Sequence, residues 1–314
     1  MSIKTLLKGK YVAVAAILAV SVIVPFVAFG STHTIVVDSG ASGTQDGSSL
    51  HPYRSIGDAL DHASDGDEVY IHDGTYEENI TIPKGVTVKG NSKNRGKVVI
   101  DGNENKPTVT MKNGSELSFV TVKNGRNGIR VLSDAKAKLY DLLVTGAQRD
   151  GIFAESAPRD KDRRLYAEKI EVKKNGKAGI YSEKRYVVLV NSDIHDNDSD
   201  GIDFSAGTKA WLADVTSNDN AGSGWKAVVD GAEIWSRDNQ FRRNGREGIQ
   251  VESFGGAGKF GVKTSKMVDN GRYGIALLAR NTAAGSMWKN IFFETNTSWG
   301  NTLGTVSSVI RSSN

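Results

Sequence analysis

Asn197-Asp198-Ser199-Asp200-Gly201-Ile202-Asp203-Phe204 places an Asn four residues before a Gly, and the Gly opens a short run that alternates apolar and polar. The same frame recurs in both directions along the chain. A Gly followed by an apolar residue stands at Gly128-Ile129, Gly151-Ile152, Gly179-Ile180, Gly201-Ile202, Gly224-Trp225, Gly248-Ile249 and Gly274-Ile275, at intervals of 23, 28, 22, 23, 24 and 26 residues. Four places before it comes Asn124, Asn175, Asn197, Asn220, Asn244 or Asn270; the second repeat departs, with Ala147. A fixed period of this length marks a stacked-repeat architecture, in which each unit buries its apolar side only against its neighbours.

The units are built from strands. Gly128-Ile129-Arg130-Val131 and Gly248-Ile249-Gln250-Val251 alternate as half-buried strands do. Val120-Thr121-Val122, Ile170-Glu171-Val172 and Val187-Val188-Leu189-Val190 are rich in β-branched residues. The repeats hold no helix-length amphipathic run, and the framework of a leucine-rich repeat is missing. The spacing predicts an all-β chain: a parallel β-helix of short strands and tight turns, its coils stacked about 4.8 Å apart. In that frame the Asn supplies left-handed backbone and a side chain that bonds the coils above and below. The Gly permits a sharp bend. Both are read as scaffold.

Composition agrees and excludes. The 314 residues include 35 Gly, 5 His and no Cys, which removes disulfide frameworks, thiol nucleophiles and Cys-ligated metals. The net charge of +4 invites a nucleic-acid reading. Residues 1–30, however, hold Lys4, Lys8 and Lys10 and no acid, so the remainder carries 37 basic residues against 36 acidic ones. Nucleic acid is not an expected partner.

Those first thirty residues have the three parts of a secretory signal: the Lys cluster, an uncharged apolar run from Val12 to Val24, and small residues at Ala28 and Gly30. Cleavage after Gly30 is one reading. An uncleaved anchor over Tyr11 to Phe29 is the other, and the only route by which a membrane enters. Either places the body outside the cytoplasmic membrane, secreted, on the cell surface or in a periplasm. The expected division is a signal or anchor over 1–30, the β-helix over 31–284 with an N-terminal cap over about 31–68, and a C-terminal cap over 285–314. Beyond Leu278 the repeat fades, and Trp288, Ile291, Phe292 and Phe293 are expected to close that end.

Before the repeat, Ser55 caps a short helix whose Ile56, Ala59, Leu60 and Ala63 share an apolar face. Pro52-Tyr53, Gly66-Asp67, Val69-Tyr70-Ile71, Gly74-Thr75-Tyr76 and Val86-Thr87-Val88-Lys89-Gly90 follow around and after it. Over residues 34–101 this order resembles the opening of pectate-lyase-like right-handed β-helix proteins. The resemblance implies a short N-terminal helix covering the apolar end of the solenoid, and it extends as a generic repeat to about Leu278. It specifies fold more than activity, because that superfamily holds lyases, hydrolases, esterases, epimerases and non-catalytic members.

If the residue after each Gly points inward, the next one points out. That row reads Arg130, Phe153, Tyr181, Asp203, Lys226, Gln250 and Ala276; two further on come Glu155, Glu183 and Glu252, and just before the Gly come Asp150, Asp200, Ser223 and Glu247. Phe153 and Tyr181 are adjacent outward aromatics of the kind that meet sugar rings. With Glu183, Lys226 and Gln250 they form the candidate substrate-binding set. An ordinary solvated sheet face is the plain alternative.

Asn197 to Asp203 is similar to the Asn-x-Asp-Gly-Ile-Asp segment of polygalacturonase-type hydrolases, which implies a catalytic role for Asp200 with Asp203 beside it. The next coils depart from that family: Gly222-Ser223 stands where an acidic pair belongs, Glu247 where a His belongs, and Ala276-Leu277-Leu278 where an Arg-x-Lys belongs. Glu247, two coils on at about 9.6 Å, is the substitute partner for an inverting reaction. Ser192-Asp193-Ile194-His195-Asp196-Asn197 resembles a repeat of alginate C5-epimerases, whose catalytic Asp and His are replaced by Ser205 and Ser223. A lyase would need a base such as Lys226, and Ca²⁺ on carboxylates is the one cofactor that chemistry would bring. No other cofactor or metal is expected.

Two basic groups, Arg159 to Arg164 in an insertion from Ser156 and Arg237 to Arg246, are candidate walls of a groove for an acidic polymer or else solvated loops. Trp211 and Trp235 fall at nearly equivalent points, one residue out of register, facing either a ligand or the core. Two functions remain open: a monomeric exported protein that binds an acidic polysaccharide and degrades it as a lyase or inverting hydrolase, or a non-catalytic surface protein.

Overall fold

The computed structural model describes residues 33–91, 93–157, 163–280 and 290–310. Among the described residues, apart from one helix, Ile56–His62, every regular element is a strand, and every strand pairing is parallel. A 10-stranded sheet runs from Ile80–Ile82 through Ile202–Phe204 to Gly304–Ile310. A 19-stranded sheet supplies the other two faces of each coil. In most coils these are separate strands, such as Ala137–Tyr140 and Leu143–Thr145. In Tyr186–His195 and Lys209–Asn218 a single ten-residue strand runs through both. The chain is therefore the parallel β-helix expected from its period.

Alternation fixes what each face buries. Ile129, Ile152, Ile180, Ile202, Trp225, Ile249 and Ile275 align coil on coil and are all buried. Trp225 sits among Phe204, Phe241 and Phe260, with ring centroids 4.8–6.0 Å away. At the N-terminal end Ile56, Ala59 and Leu60 of the helix are buried. Ser55 Oγ accepts from Asp58 N–H, and the Glu78 carboxylate accepts from Ile56 and Gly57 N–H at 2.8 and 2.7 Å. Helix and second coil are thereby joined through the helix's unpaired donors.

The Asn positions form the expected ladder. Asn175, Asn197, Asn220, Asn244 and Asn270 are buried, and each Nδ2 donates to Oδ1 of the next Asn, ending on Asn301, at 2.8–3.1 Å. Each of these Oδ1 atoms also accepts from the backbone N–H of the preceding rung, at 3.0–3.3 Å. Two expected roles are corrected. Of the repeat Asn residues only Asn124 is left-handed; elsewhere the residue before the Asn takes that backbone, Lys174, Asp196, Asp219, Arg243 and Asp269, at φ 49–55°. The turn is made one place early so that the amide can point inward. The repeat Gly residues from Gly151 to Gly248 are not at positive φ. A Cβ there would lie 2.7–2.9 Å from the next coil's Asn Nδ2 and 2.7–2.8 Å from its Gly carbonyl oxygen. Glycine is needed for close approach between coils rather than for a bend.

The repeat also continues past Leu278. Strands Ile291–Glu294, Thr297–Trp299 and Gly304–Ile310 pair with the preceding coil on all three faces, and Asn301 extends the ladder. Ile291 and Phe293 lie in a further coil. Residues 1–32, Arg159, Lys161 and Trp288 lie outside the described residues. Among the described residues no helix is long and apolar enough to cross a membrane.

Candidate functional site

The 10-stranded sheet sets the outward row in strict register: Arg130, Phe153, Tyr181, Asp203, Lys226, Gln250 and Ala276 are successive pairing partners. The Phe153 and Tyr181 rings are stacked, centroids 5.8 Å apart and planes within 11°. One face of each ring is thus turned to the other, and their edges complete the outer surface. Burial first, then the nearby Glu183, Asp203 and Asp150 carboxylates, push the Tyr181 phenol above its usual range. Among those carboxylates the negative charge of Glu183 acts most strongly on the phenol.

Beside the rings, Lys226 Nζ lies 3.1 Å from Asp203 Oδ2. Burial raises Asp203 above the ordinary aspartate range, although Lys226 pulls the other way. For Lys226 burial favours the neutral amine, but the adjacent Asp203 carboxylate outweighs it, so the ammonium holds its proton more tightly than an ordinary lysine. That opposes a role for Lys226 as the base of a lyase and suits it as a fixed cation.

Asp200 and Glu247 are brought to one residue. Ser223 donates its backbone N–H to Asp200 Oδ1 at 2.6 Å and its hydroxyl lies 3.2 Å from Glu247 Oε2. Both acids are buried, Glu247 at 1% exposure, and Glu247 also pairs with Arg272 at 3.1 Å and Arg246 at 3.5 Å. Gln250 is buried too, within reach of the Ser223 hydroxyl at 3.3 Å and donating to Glu252 Oε1 at 2.5 Å; Glu252 in turn pairs with Arg280. Ser223, Glu252, Arg272 and Arg280 therefore belong to the constellation. Ser223 and Glu252 stand in the outward rows of the repeat. The two arginines carry no periodic signal, which hid them from sequence reasoning.

The basic residues near 240 do not form one patch. Arg237 pairs with Asp238, Arg243 with Asp219 through two hydrogen bonds, and Arg246 with Glu247. A cation site is not built here either. Among the described residues no three His, Asp or Glu side chains are arranged to hold a metal, and the Asp203 carboxylate already has the Lys226 ammonium against it. These residues do not fit Ca²⁺.

An open cavity of about 510 Å³ lies elsewhere, on the 19-stranded sheet between Arg95, Asp141, Glu171, Asp193 and Thr216. Glu171 is its hub. Burial would raise this carboxyl, but Lys173, His195 and Arg95 hold it down at about 2. Arg95 reaches it from a loop 76 residues earlier and also bonds Asp141. Its cations and carboxylates neutralise one another, so the outward row of the 10-stranded sheet remains the better site.

The sequence matches the family described as "Right handed beta helix region" over residues 127–298, more than half of its length. The chain belongs to this right-handed β-helix family. A second family, described as "Protein of unknown function (DUF1565)", matches residues 39–206. No curated protein matches the sequence. Among solved structures, the β-helix is similar to an alginate lyase from Paenibacillus sp. str. FPU-7, with 13% identity and TM-score 0.56, covering 90% of this chain and 100% of that one. It is also similar to the A-module of the Azotobacter vinelandii mannuronan C-5 epimerase AlgE4, with 13% identity and TM-score 0.52, over 88% and 99%. A third likeness is to Escherichia coli ybhc, with 9% identity and TM-score 0.52, over 88% and 87%. At these identities the likeness shows the fold.

Proposed function

We propose that this protein is exported and binds an acidic polysaccharide along the outward row of the 10-stranded sheet. The observation that carries this reading is the in-register sequence of stacked Phe153 and Tyr181 followed by the Asp203–Lys226 pair. Ring edges offer apolar contact to a sugar, and a permanently charged ammonium offers a partner for a uronate carboxylate. The Glu183 carboxylate stands near the Tyr181 phenol, and Gln250 continues the row. Two of the solved structures that share the fold are, by name, an alginate lyase and a mannuronan epimerase, which supports a polyuronate as the polymer. In its catalytic form the reading places cleavage at Asp200, Asp203 and Glu247, as an inverting hydrolase more readily than a lyase, given the firmly held Lys226 proton.

A second reading, a non-catalytic surface protein, is favoured by a separate observation: Glu247 is enclosed by Arg272, Arg246 and Ser223. Two measurements test both. On a glycan array the monomeric body is expected to retain polyuronates, and Tyr181→Ala combined with Lys226→Ala to lose them; retention by the double variant sinks the binding face. Reducing-sugar release, read beside the ultraviolet absorbance of unsaturated uronates, separates hydrolase, lyase and inert binder. Release that survives Asp200→Asn and Glu247→Gln removes those residues from the mechanism.

A further inference from the structure

A different row crosses the 19-stranded sheet. Tyr166, Val188, Trp211, Trp235, Gly261 and Phe292 are successive pairing partners on its outer surface. Trp211 and Trp235 are thus directly in register, not offset by one residue, and both face outward; the tryptophan that fills the core is Trp225. The row is interrupted at Gly261, and the gap is used. A Cβ on Gly261 would lie 2.5 Å from Trp235 Cζ3, so the indole leans across the glycine and stacks on Phe292, with centroids 5.8 Å apart and planes within 24°. Trp235 and Phe292 keep 37% and 48% of their surfaces exposed. Two large aromatics two coils apart, meeting over the intervening Gly261, form an apolar ledge that folding leaves in water.

Polar groups flank that ledge in the pattern hydroxyls require. Two residues before each ring position on the same strands stand Lys209, Glu233 and Lys259, themselves pairing partners in one row and all exposed. None of the three takes part in an ion pair with another described residue. With Gly231, Ala232, Ala257, Gly258 and Asn290 they line an open cavity of about 320 Å³, two residues along the strands from the row of Trp211, Trp235 and Gly261. That volume suits a small ligand. The row alternates ammonium, carboxylate, ammonium, so donors and an acceptor stand side by side and no single charge dominates.

We infer that this ledge and cavity are a binding site for neutral pyranose sugars: a sugar ring lies on Trp235 and Phe292 and its hydroxyls meet Lys209, Glu233 and Lys259. The site is on a different sheet from the polyuronate face, so its existence does not rest on that assignment. Apolar contact against an aromatic ring and hydroxyl bonding to charged side chains act together here, and neither alone would select a sugar.

The test is a titration of the full chain with cellohexaose, mannohexaose and xylohexaose, followed by tryptophan emission and by saturation-transfer NMR on the sugar. At least one is expected to give a saturating response. Trp235→Ala is expected to weaken it about tenfold or more, as loss of a central aromatic anchor does. Gly261→Ala, which displaces the indole from Phe292, is expected to act in the same direction, and Phe292→Ala serves if either variant fails to fold. Tyr181→Ala with Lys226→Ala is expected to leave the response intact, which separates this site from the polyuronate face. The inference is overturned if none of the three sugars responds. It is likewise overturned if the response survives Phe292→Ala, or if Trp235 and Phe292 prove to be covered by a second copy, seen as a dimer that Phe292→Ala dissolves without any sugar response.

Discussion

Replacing Asn220 by Ala removes the middle of the amide ladder. Asn220 Oδ1 accepts from Asn197 N–H at 3.2 Å and Asn197 Nδ2 at 2.9 Å. Its Nδ2 is within donor reach of Ile194 O, Ser217 Oγ and Asn244 Oδ1, at 3.1–3.2 Å. Not all of these losses are equal. Asn197 Nδ2 also has Val172 O and His195 O within reach, and Asn244 Oδ1 keeps the Asn220 backbone N–H. The Asn197 backbone N–H has no other partner among the described residues and is buried. One orphaned buried donor costs about 1–3 kcal/mol, and the net loss of two or three further bonds adds about 0.5–1.5 kcal/mol each. The expected destabilisation is therefore about 3–5 kcal/mol. Asn301→Ala breaks a similar set at the end of the ladder, where Asn301, unlike Asn220, is itself only partly buried and water can take its place. Its expected cost is about 1–2 kcal/mol. Urea unfolding of both variants beside the parent measures the difference. Equal costs at the two rungs, or a loss below about 1 kcal/mol at Asn220, would refute the assignment of the ladder as a buried, mutually dependent network.

Other expectations follow from single contacts. Gly201→Ala places a Cβ 2.7 Å from Asn220 Nδ2, 2.8 Å from Gly224 O and into Ser217 Oγ. Overpacking of this kind is expected to cost about 3 kcal/mol in the same urea assay, and a neutral outcome would show that the coils can move apart. The Glu171 carboxyl, at about 2 against an ordinary 4.5, contributes stability that is fully present above pH 4.5 and is lost as pH falls towards 2. Glu171→Gln is expected to flatten that part of the melting-temperature profile, and an unchanged acid limb would argue against it. Arg185 is buried and donates to the carbonyl oxygens of Glu155, Ala135 and Leu132 at 2.5–2.9 Å. Arg185→Met leaves those carbonyls without their donor and is expected to lower the midpoint by an amount equivalent to about 3 kcal/mol; an unchanged midpoint would show that water satisfies them.

The β-helix was legible because its determinants are local and repeated. The Asn and Gly positions and the apolar alternation each occur once per coil, and the inward column from Ile129 to Ile275 lies where alternation placed it. What a repeat cannot carry was lost. The closing coil has Asn301 after an interval of 31 residues and no Gly four places later, so its signature falls outside the frame although its strands do not. The outward direction of Gln250 and Glu247 was readable, but their burial depends on Ser223, Glu252, Arg272 and Arg280, which meet them only in three dimensions. Arg95 illustrates the extreme case: it acts on Glu171 across three coils, and nothing in its own neighbourhood of sequence announces the contact.

The left-handed residues and the amides beside them have one more consequence. From Asn175 to Asn301 every rung presents the same donor to one side and the same acceptor to the other, so the joint between coils does not depend on which coils are joined. Excising residues 197–219 would bring Asp196, left-handed like Asp219, directly before Asn220, and Asn175 would find Oδ1 of Asn220 where it had found that of Asn197. The protein is in this sense a molecular ruler with interchangeable divisions. Its length, and with it the distance spanned along the axis, can change by whole units without redesign of any joint.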